Sequence, residues 1–271
     1  MDTLPDTGER DITVVFERER PKLVAAAFRM LGTRADAEDA AQEAWVRWLR
    51  LDSRERADIS SPGAWLMRVT GRICLDLLGS ARARREQYVG EWLPEPVPAS
   101  NPVARWAADP LDRVAADDEV STALLLVMDT LTPAERVAFV LHDVFGVPFA
   151  EVSEVVGRSV VSCRQLAASA RRHVGQRRGA GVTRERHDAL VAAFAEATAT
   201  GELARLIAVL DPEVVLRSDG GGAVSAALRP VRGADHVGRF LLGLARKNPD
   251  AEYSAMQTPG GAGIVIRVGA S

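Results

Sequence analysis

Between residues 131 and 174 the apolar positions recur at a spacing that predicts three helices with two breaks between them. Thr132 can cap the first helix, Pro133 suits its first helical position, and Glu135 completes a capping box. Val137, Phe139, Val140 and Leu141 form its apolar side, and Gly146 and Pro148 break it. A short second helix over 149–156 sets Val152, Val155 and Val156 on one side, and Gly157, tolerant of positive φ, ends it. Ser159 caps a third helix, on which Val160, Cys163, Leu166, Ala167 and Ala170 fall at helical spacing and so face a core. The positions left over hold Ser162, Arg164, Gln165, Ser169, Arg171 and Arg172. A short helix, a Gly turn and a helix with an arginine-bearing outer face is the arrangement that enters a major groove, so double-stranded DNA is the expected partner. An ordinary three-helix bundle with a solvated arginine face has the same pattern, and the rest of the chain must decide between them.

The N-terminal part is also patterned as helices. Over 12–31, Val15, Leu23, Val24, Ala27, Phe28 and Leu31 are core candidates, and Gly32 ends the helix. Over 34–49, Ala37, Ala40, Ala41, Ala44, Trp45 and Trp48 make an apolar side, while Asp36, Glu38, Asp39, Gln42 and Glu43 leave the remainder acidic. A charged loop is expected over 51–61, and Ser61-Pro62 opens a third helix through 78. That helix carries Trp65, Leu66, Val69, Ile73, Leu77 and Leu78 inward, with Arg68 and Arg72 one turn apart on its polar side. Beyond 183 the pattern is mixed: a helix to 200, a second over 202–210, short strands over 213–219 and 223–233 around a GGG turn, a helix over 236–246 and a strand over 263–268. The expected organisation is therefore a helical block at 11–88, a proline-rich linker at 89–110, a helix-turn-helix block at 111–178 and an α+β block at 183–271.

Composition narrows the possibilities. A net charge of −3 on 271 residues is not that of a generally basic DNA-coating protein. The positive charge is local, at Arg82, Arg84 and Arg85 and again at Arg171, Arg172, Arg177 and Arg178. Cys74 and Cys163 both lie in apolar helical patterns and read as small core residues, so no disulfide framework is expected. The N-terminal stretch is acidic and no segment is apolar enough to span a bilayer, which leads to the expectation of a soluble, cytoplasmic protein.

Three segments, in order, resemble the extracytoplasmic-function (ECF) sigma factors, initiation subunits of bacterial RNA polymerase. DAEDAAQEAWVRW (36–48) is similar to the helix that docks on the polymerase β′ clamp, and SPGAWLMRVTGRICLDLL (61–78) to the helix that meets the minus-ten element. The helix-turn-helix, with CRQLAASARRHV (163–174), is similar to the domain that reads the minus-thirty-five element. YVGEWLPEPV (88–97), CRQL (163–166) and DGGG (219–222) further resemble the SigJ-like group, whose members carry a SnoaL-like C-terminal extension. The implied fold is multi-domain: two all-α sigma domains, a helical-bundle region 2 and a helix-turn-helix region 4, followed by an α+β SnoaL-like cone. Two departures stand out. Ala223 follows DGGG where the group usually has lysine, and the group normally continues with further strands after the segment seen here as AGIVIRV, so the cone is expected to be incomplete at its C-terminus.

The resemblance implies roles for individual residues. Asp36, Asp39, Gln42 and Glu43 would bind polymerase; the partners implied are core polymerase, through its β′ clamp and β flap, promoter duplex and the non-template strand. Arg54, Arg56, Ser60, Trp65, Arg68 and Arg72 would meet the minus-ten element, where cationic and aromatic groups capture unstacked bases. Ser162, Arg164 and Gln165 are candidates for base edges in the minus-thirty-five duplex, and Arg158, Arg171 and Arg172 for phosphate. Trp92, Leu93, Pro94, Glu95 and Pro96, with Asp219, Gly220, Gly221 and Gly222, form an expected regulatory interface. No cofactor, metal or catalytic residue is expected. A small ligand in the cone stays open, as does an acid-base pair of Asp219 and His236. The alternatives are a conventional DNA-binding regulator with a sensing domain, which has no use for the N-terminal block, and a SnoaL-like enzyme with accessory helices, which leaves the WLPEP linker and both arginine clusters unexplained.

Overall fold

The computed structural model describes residues 7–85, 93, 128, 130–176, 184–219, 227, 229–258 and 261–267. It divides into two units, one of Met1–Glu86 with Asn101–Gly179 and one of Gln87–Ser100 with Ala180–Ser271.

In the first unit, α1 (Thr7–Leu31) and α2 (Arg34–Leu49) form an antiparallel pair joined by only two residues. Gly32, at φ +84°, makes the reversal, and the Thr33 hydroxyl then caps α2 by accepting the Asp36 N–H. The pair is rich in buried alanine: α1 buries Ala25, Ala26 and Ala27, and α2 buries Ala37, Ala40, Ala41 and Ala44. Such small side chains let helix axes approach closely. Aromatic rings close the ends, with Phe16 stacked on Trp45 at 4.6 Å and Trp48 edge-on to Trp65 at 5.3 Å. The segment expected as a charged loop contains a one-turn helix, α3 (Ser53–Ala57). Asp52 accepts the Arg54 and Glu55 N–H groups and Glu55 accepts the Asp52 N–H, so the turn opens on a capping box and buries no residue. Two boundaries differ from expectation: α1 begins at Thr7 and runs through Pro21, and α4 (Pro62–Arg85) continues past 78.

The helix-turn-helix consists of α5 (Pro133–Phe139), α6 (Phe149–Val156) and α7 (Val160–Gln176). The first helix was expected to run unbroken towards Gly146; instead Val140–Val144 is a π-helical turn, with the Phe145 N–H bonded five residues back to Val140. Gly146 at φ +69° and Gly157 at φ +68° make the two breaks. Val137, Val140, Leu141, Val152, Cys163 and Ala167 are all fully buried. α4 packs on this module at Gly71, where a Cβ would lie 3.0 Å from Leu141 Cδ1 and 3.3 Å from Val155 Cγ1. Arg136, 4% exposed, donates to the Met30 carbonyl at 2.8 Å, supplying a partner to the C-terminal end of α1. Both cysteines are buried free thiols, and burial pushes the Cys74 thiol far above its ordinary range.

The second unit comprises α8 (Arg184–Thr200), α9 (Leu203–Val209), β1 (Val215–Leu216), β2 (Val231–Arg232), α10 (Ala234–Lys247), β3 (Glu252–Thr258) and β4 (Gly261–Arg267). Ala197, Leu206 and Leu242 bring the three helices together, with Phe194, Leu203, Leu210 and Leu241 around them. Gly238 allows the closest approach, since a Cβ there would sit 3.0 Å from Leu203 Cδ1. Each described sheet has two antiparallel strands, β1–β2 and β3–β4, the second in register from Glu252↔Arg267 to Thr258↔Gly261. α8 pins β4 at Ala262, whose carbonyl lies 3.0 Å from His187 Nε2 and whose N–H donates to Asp188 at 2.7 Å. Of the strand expected over 213–219 only Val215–Leu216 pairs, and β3 was not foreseen. Its sequence, EYSAMQT, has no clean alternation, and its ladder to β4 is what makes it a strand. Of the segment expected as a strand over 223–233, residues 223–226 and 228 lie outside the described residues, and Val231–Arg232 pairs as β2.

Thr132→Ala is expected to lower the stability of the first unit by about 1 kcal/mol in denaturant melts, through loss of the α5 cap. Burial pulls the Glu135 carboxyl up, but bonds from Thr132 and Ser169 and the nearby His173 charge outweigh it and hold the group below its usual value. Stability from this group is complete above an unfolded value of 4.5 and is lost as pH falls through the lower folded value. Glu135→Gln should flatten that part of the acid-unfolding profile.

Candidate nucleic-acid interface

α7 is two-faced. Ser159 caps it, its hydroxyl accepting the Ser162 N–H at 3.2 Å, and Cys163, Ala167, Ala170 and Val174 are buried along one side. Val161, Arg164, Gln165 and Arg172 are exposed on the other, Ser162 is half-buried and Arg158 stands exposed on the turn. Arg164 is oriented by its neighbours: its Cζ lies 5.8 Å from the Phe149 ring centroid, Phe149 is stacked on His142 at 3.6 Å, and His142 Nδ1 is 2.9 Å from the Val147 carbonyl. A guanidinium held over an aromatic face loses less freedom when it binds. Arg171, expected on phosphate, is paired with Asp143 at 2.5 Å and ties α7 to the π-helical turn. Val161 is not among the sequence candidates, which are drawn from the polar and charged residues of this helix alone, although its spacing from Val160 and Cys163 sets it off the core face.

The residues expected at the minus-ten element divide into two sets. Arg54 and Ser60 are exposed. Arg56 donates to the Leu49 carbonyl at 2.8 Å, which anchors α3 to the end of α2. Trp65 is half-buried against Trp48. Arg68 and Arg72 face the helix-turn-helix: Arg68 Nη1 lies 3.4 Å from Glu154 and 3.6 Å from Glu151, and Arg72 Nη1 donates to the Val155 carbonyl at 3.1 Å. The C-terminal carbonyls of α6 carry partial negative charge, so a carbonyl and two carboxylates together hold the α4 arginines.

On α2, Asp36, Asp39 and Gln42 are exposed and Glu43 is half-buried and paired with Arg47 at 2.9 Å. The Thr33 hydroxyl donates to Asp36 at 2.6 Å. This side lies opposite the buried alanines and is acidic and hydrogen-bonding along its length. Of the expected regulatory interface, Leu93 and Asp219 are described, and the Leu93 N–H donates to the Asp219 carboxylate at 2.9 Å. Trp92, Pro94, Glu95, Pro96, Gly220, Gly221 and Gly222 lie outside the described residues. His236, the other half of the acid-base pair left open by the sequence, has Nδ1 3.1 Å from the Arg232 carbonyl at the start of α10, a structural role. Among the described residues no cluster of metal-ligating side chains occurs, and no helix is long and apolar enough to cross a membrane.

Comparison with known proteins agrees with this arrangement. Residues 15–84 match the family model for Sigma-70 region 2, and residues 121–174 that for Sigma-70 region 4. The chain is 43% identical to the ECF RNA polymerase sigma factor SigJ of Mycobacterium tuberculosis, over 89% of its own length and 76% of that protein's. It is 40% identical to the probable ECF RNA polymerase sigma factor SigI of the same organism, over 85% and 76%. The crystal structure of Mycobacterium tuberculosis SigJ matches with a TM-score of 0.68 at 37% identity, covering 93% of this chain and 83% of that one. Two sigma-type helical modules in order, and identity that continues through the C-terminal unit, place the chain in the extracytoplasmic-function RNA polymerase sigma factors, which direct promoter-specific transcription initiation.

Proposed function

We propose that the acidic side of α2, at Asp36, Asp39, Gln42 and Glu43, docks on the β′ clamp of core polymerase, and that the helix-turn-helix engages the β flap and the promoter together. In this reading Ser162, Arg164 and Gln165 read base edges of the minus-thirty-five duplex, Arg158 and Arg172 hold phosphate, and Arg171 joins them once it leaves Asp143. Arg54, Arg56, Ser60, Trp65, Arg68 and Arg72 serve the minus-ten element on the non-template strand. The observation that carries the reading is the exposed polar row on α7 opposite a fully buried face. Such a helix presents its N-terminal residues to base edges.

The packing of α4 on α6 then corresponds to a closed state. The two promoter elements lie about 25 base pairs apart, roughly 85 Å along the duplex at about 3.4 Å per step. A compact unit of this size is roughly 40 Å across. Both elements cannot be read while α4 and α6 stay packed, and Arg68 and Arg72 are engaged in that packing. The linker residue Leu93, bonded to Asp219, belongs to the same unit as the C-terminal block. That supports a regulatory, non-catalytic role for this block, holding the segment between the two promoter-reading modules. The protein would act in the cytoplasm, where polymerase is.

Run-off transcription with core polymerase, on a promoter from the protein's own gene neighbourhood, should yield transcripts that depend on this chain, and a version ending at Arg178 should change their rate. No transcript and no core binding, alongside duplex binding, would instead make the protein a conventional regulator. Glu151→Gln with Glu154→Gln should raise binding of a single-stranded minus-ten oligonucleotide by about two- to five-fold, the scale of a partly exposed ion pair. Gly71→Leu, which overpacks against Leu141 and Val155, should do the same. Unchanged binding in both variants would mean that α6 does not withhold the α4 arginines.

A further inference from the structure

We infer that Val161 is a specificity-determining residue that reads the C5-methyl group of a thymine in the minus-thirty-five element. The inference rests on the reading of α7 as the helix that enters the major groove. Val161 is 62% exposed and lies in the first turn of α7, two residues after its cap Ser159. Arg164, Gln165 and Arg172 follow it by three, four and eleven residues, so all four share one exposed stripe. Val160 beside it is half-buried, so the contact with the core is made there and not at 161.

The residue type is informative because the fold gains little from it. An exposed β-branched residue in a helix is less favourable than alanine by up to about 0.7 kcal/mol, and Val161 recovers little of that by burial. In the major groove the one apolar feature on a base edge is the thymine methyl. An isopropyl group offers no donor or acceptor, so facing adenine, guanine or cytosine it would cover their polar edges without satisfying them. Facing thymine it covers a methyl group. The helix rises about 1.5 Å per residue, which sets Val161 roughly 4.5–6 Å along the axis from Arg164 and Gln165. The thymine should therefore lie within about two base pairs of the base those residues read.

The test uses holoenzyme assembled from the full chain and core polymerase. Duplexes are selected from a pool randomised over the upstream element, and each thymine of the enriched sequence is then replaced singly by deoxyuridine, which removes only the methyl group. One replacement should weaken binding by about three- to five-fold, the scale of one buried methyl group. It should fall within two base pairs of the position whose selectivity is lost in Arg164→Ala or Gln165→Ala. In Val161→Ser the same replacement should have almost no effect, and in Val161→Ala the penalty should at least halve. Binding indifferent to every replacement overturns the inference, and so does a Val161→Ser variant that keeps the full penalty, which would assign the exposed side chain to a protein surface of polymerase. If no duplex is enriched, the promoter-reading role of α7 falls and the inference with it, an outcome distinct from loss of the methyl effect alone.

Discussion

The first unit depends on one constraint: α4 must lie against two different partners. One side of it completes the α1–α2 bundle, and another meets the helix-turn-helix at Leu141 and Val155. The second contact is possible because position 71 has no side chain. It is fastened at one edge by Arg136, which reaches from α5 to the Met30 carbonyl, and by Arg29, which bonds Ala25 and lies 5.3 Å from the Phe145 ring centroid. Buried guanidinium groups are expensive to desolvate, so a helix C-terminus with unpaired carbonyls is among the few places that can accept one.

Around that contact, each charged row has a defined place. On α4, Arg68 meets two carboxylates of α6 and Arg72 the Val155 carbonyl, the acidic side of α2 faces outward, and the α7 row faces outward at the other module. The α4–α6 ion pairs are partly exposed, which makes them weak and salt-sensitive. The apolar part at Gly71 and the buried Arg136 contact are not screened in that way. An interface of this composition is specific in geometry, and its ionic edge is the part that salt weakens.

Much of this was legible in the chain. The Thr132–Glu135 capping box, Gly157 and the inward positions of α7 follow from local chemistry, and a short sequence window contains everything that specifies them. Local signals also have limits. α3 has a capping box but no apolar periodicity, and the π-helical turn interrupts an apolar pattern that reads as continuous helix, because only the hydrogen-bond register distinguishes them. β3 carries no alternation of its own and depends on β4, and Val161, apolar among the polar residues of its stripe, gains meaning only with its exposure.

The sequence by itself determined the longer helices, the Thr132 and Ser159 caps and the stock of outward cations and carboxylates, because each depends on spacing within a few residues of chain. Only the tertiary structure decided which of those charges meet. Arg68 and Glu154 are 86 positions apart, and Arg136 and Met30 are 106 apart. No periodicity links such distant positions; they are brought together by apolar surfaces that pack without regard to sequence separation.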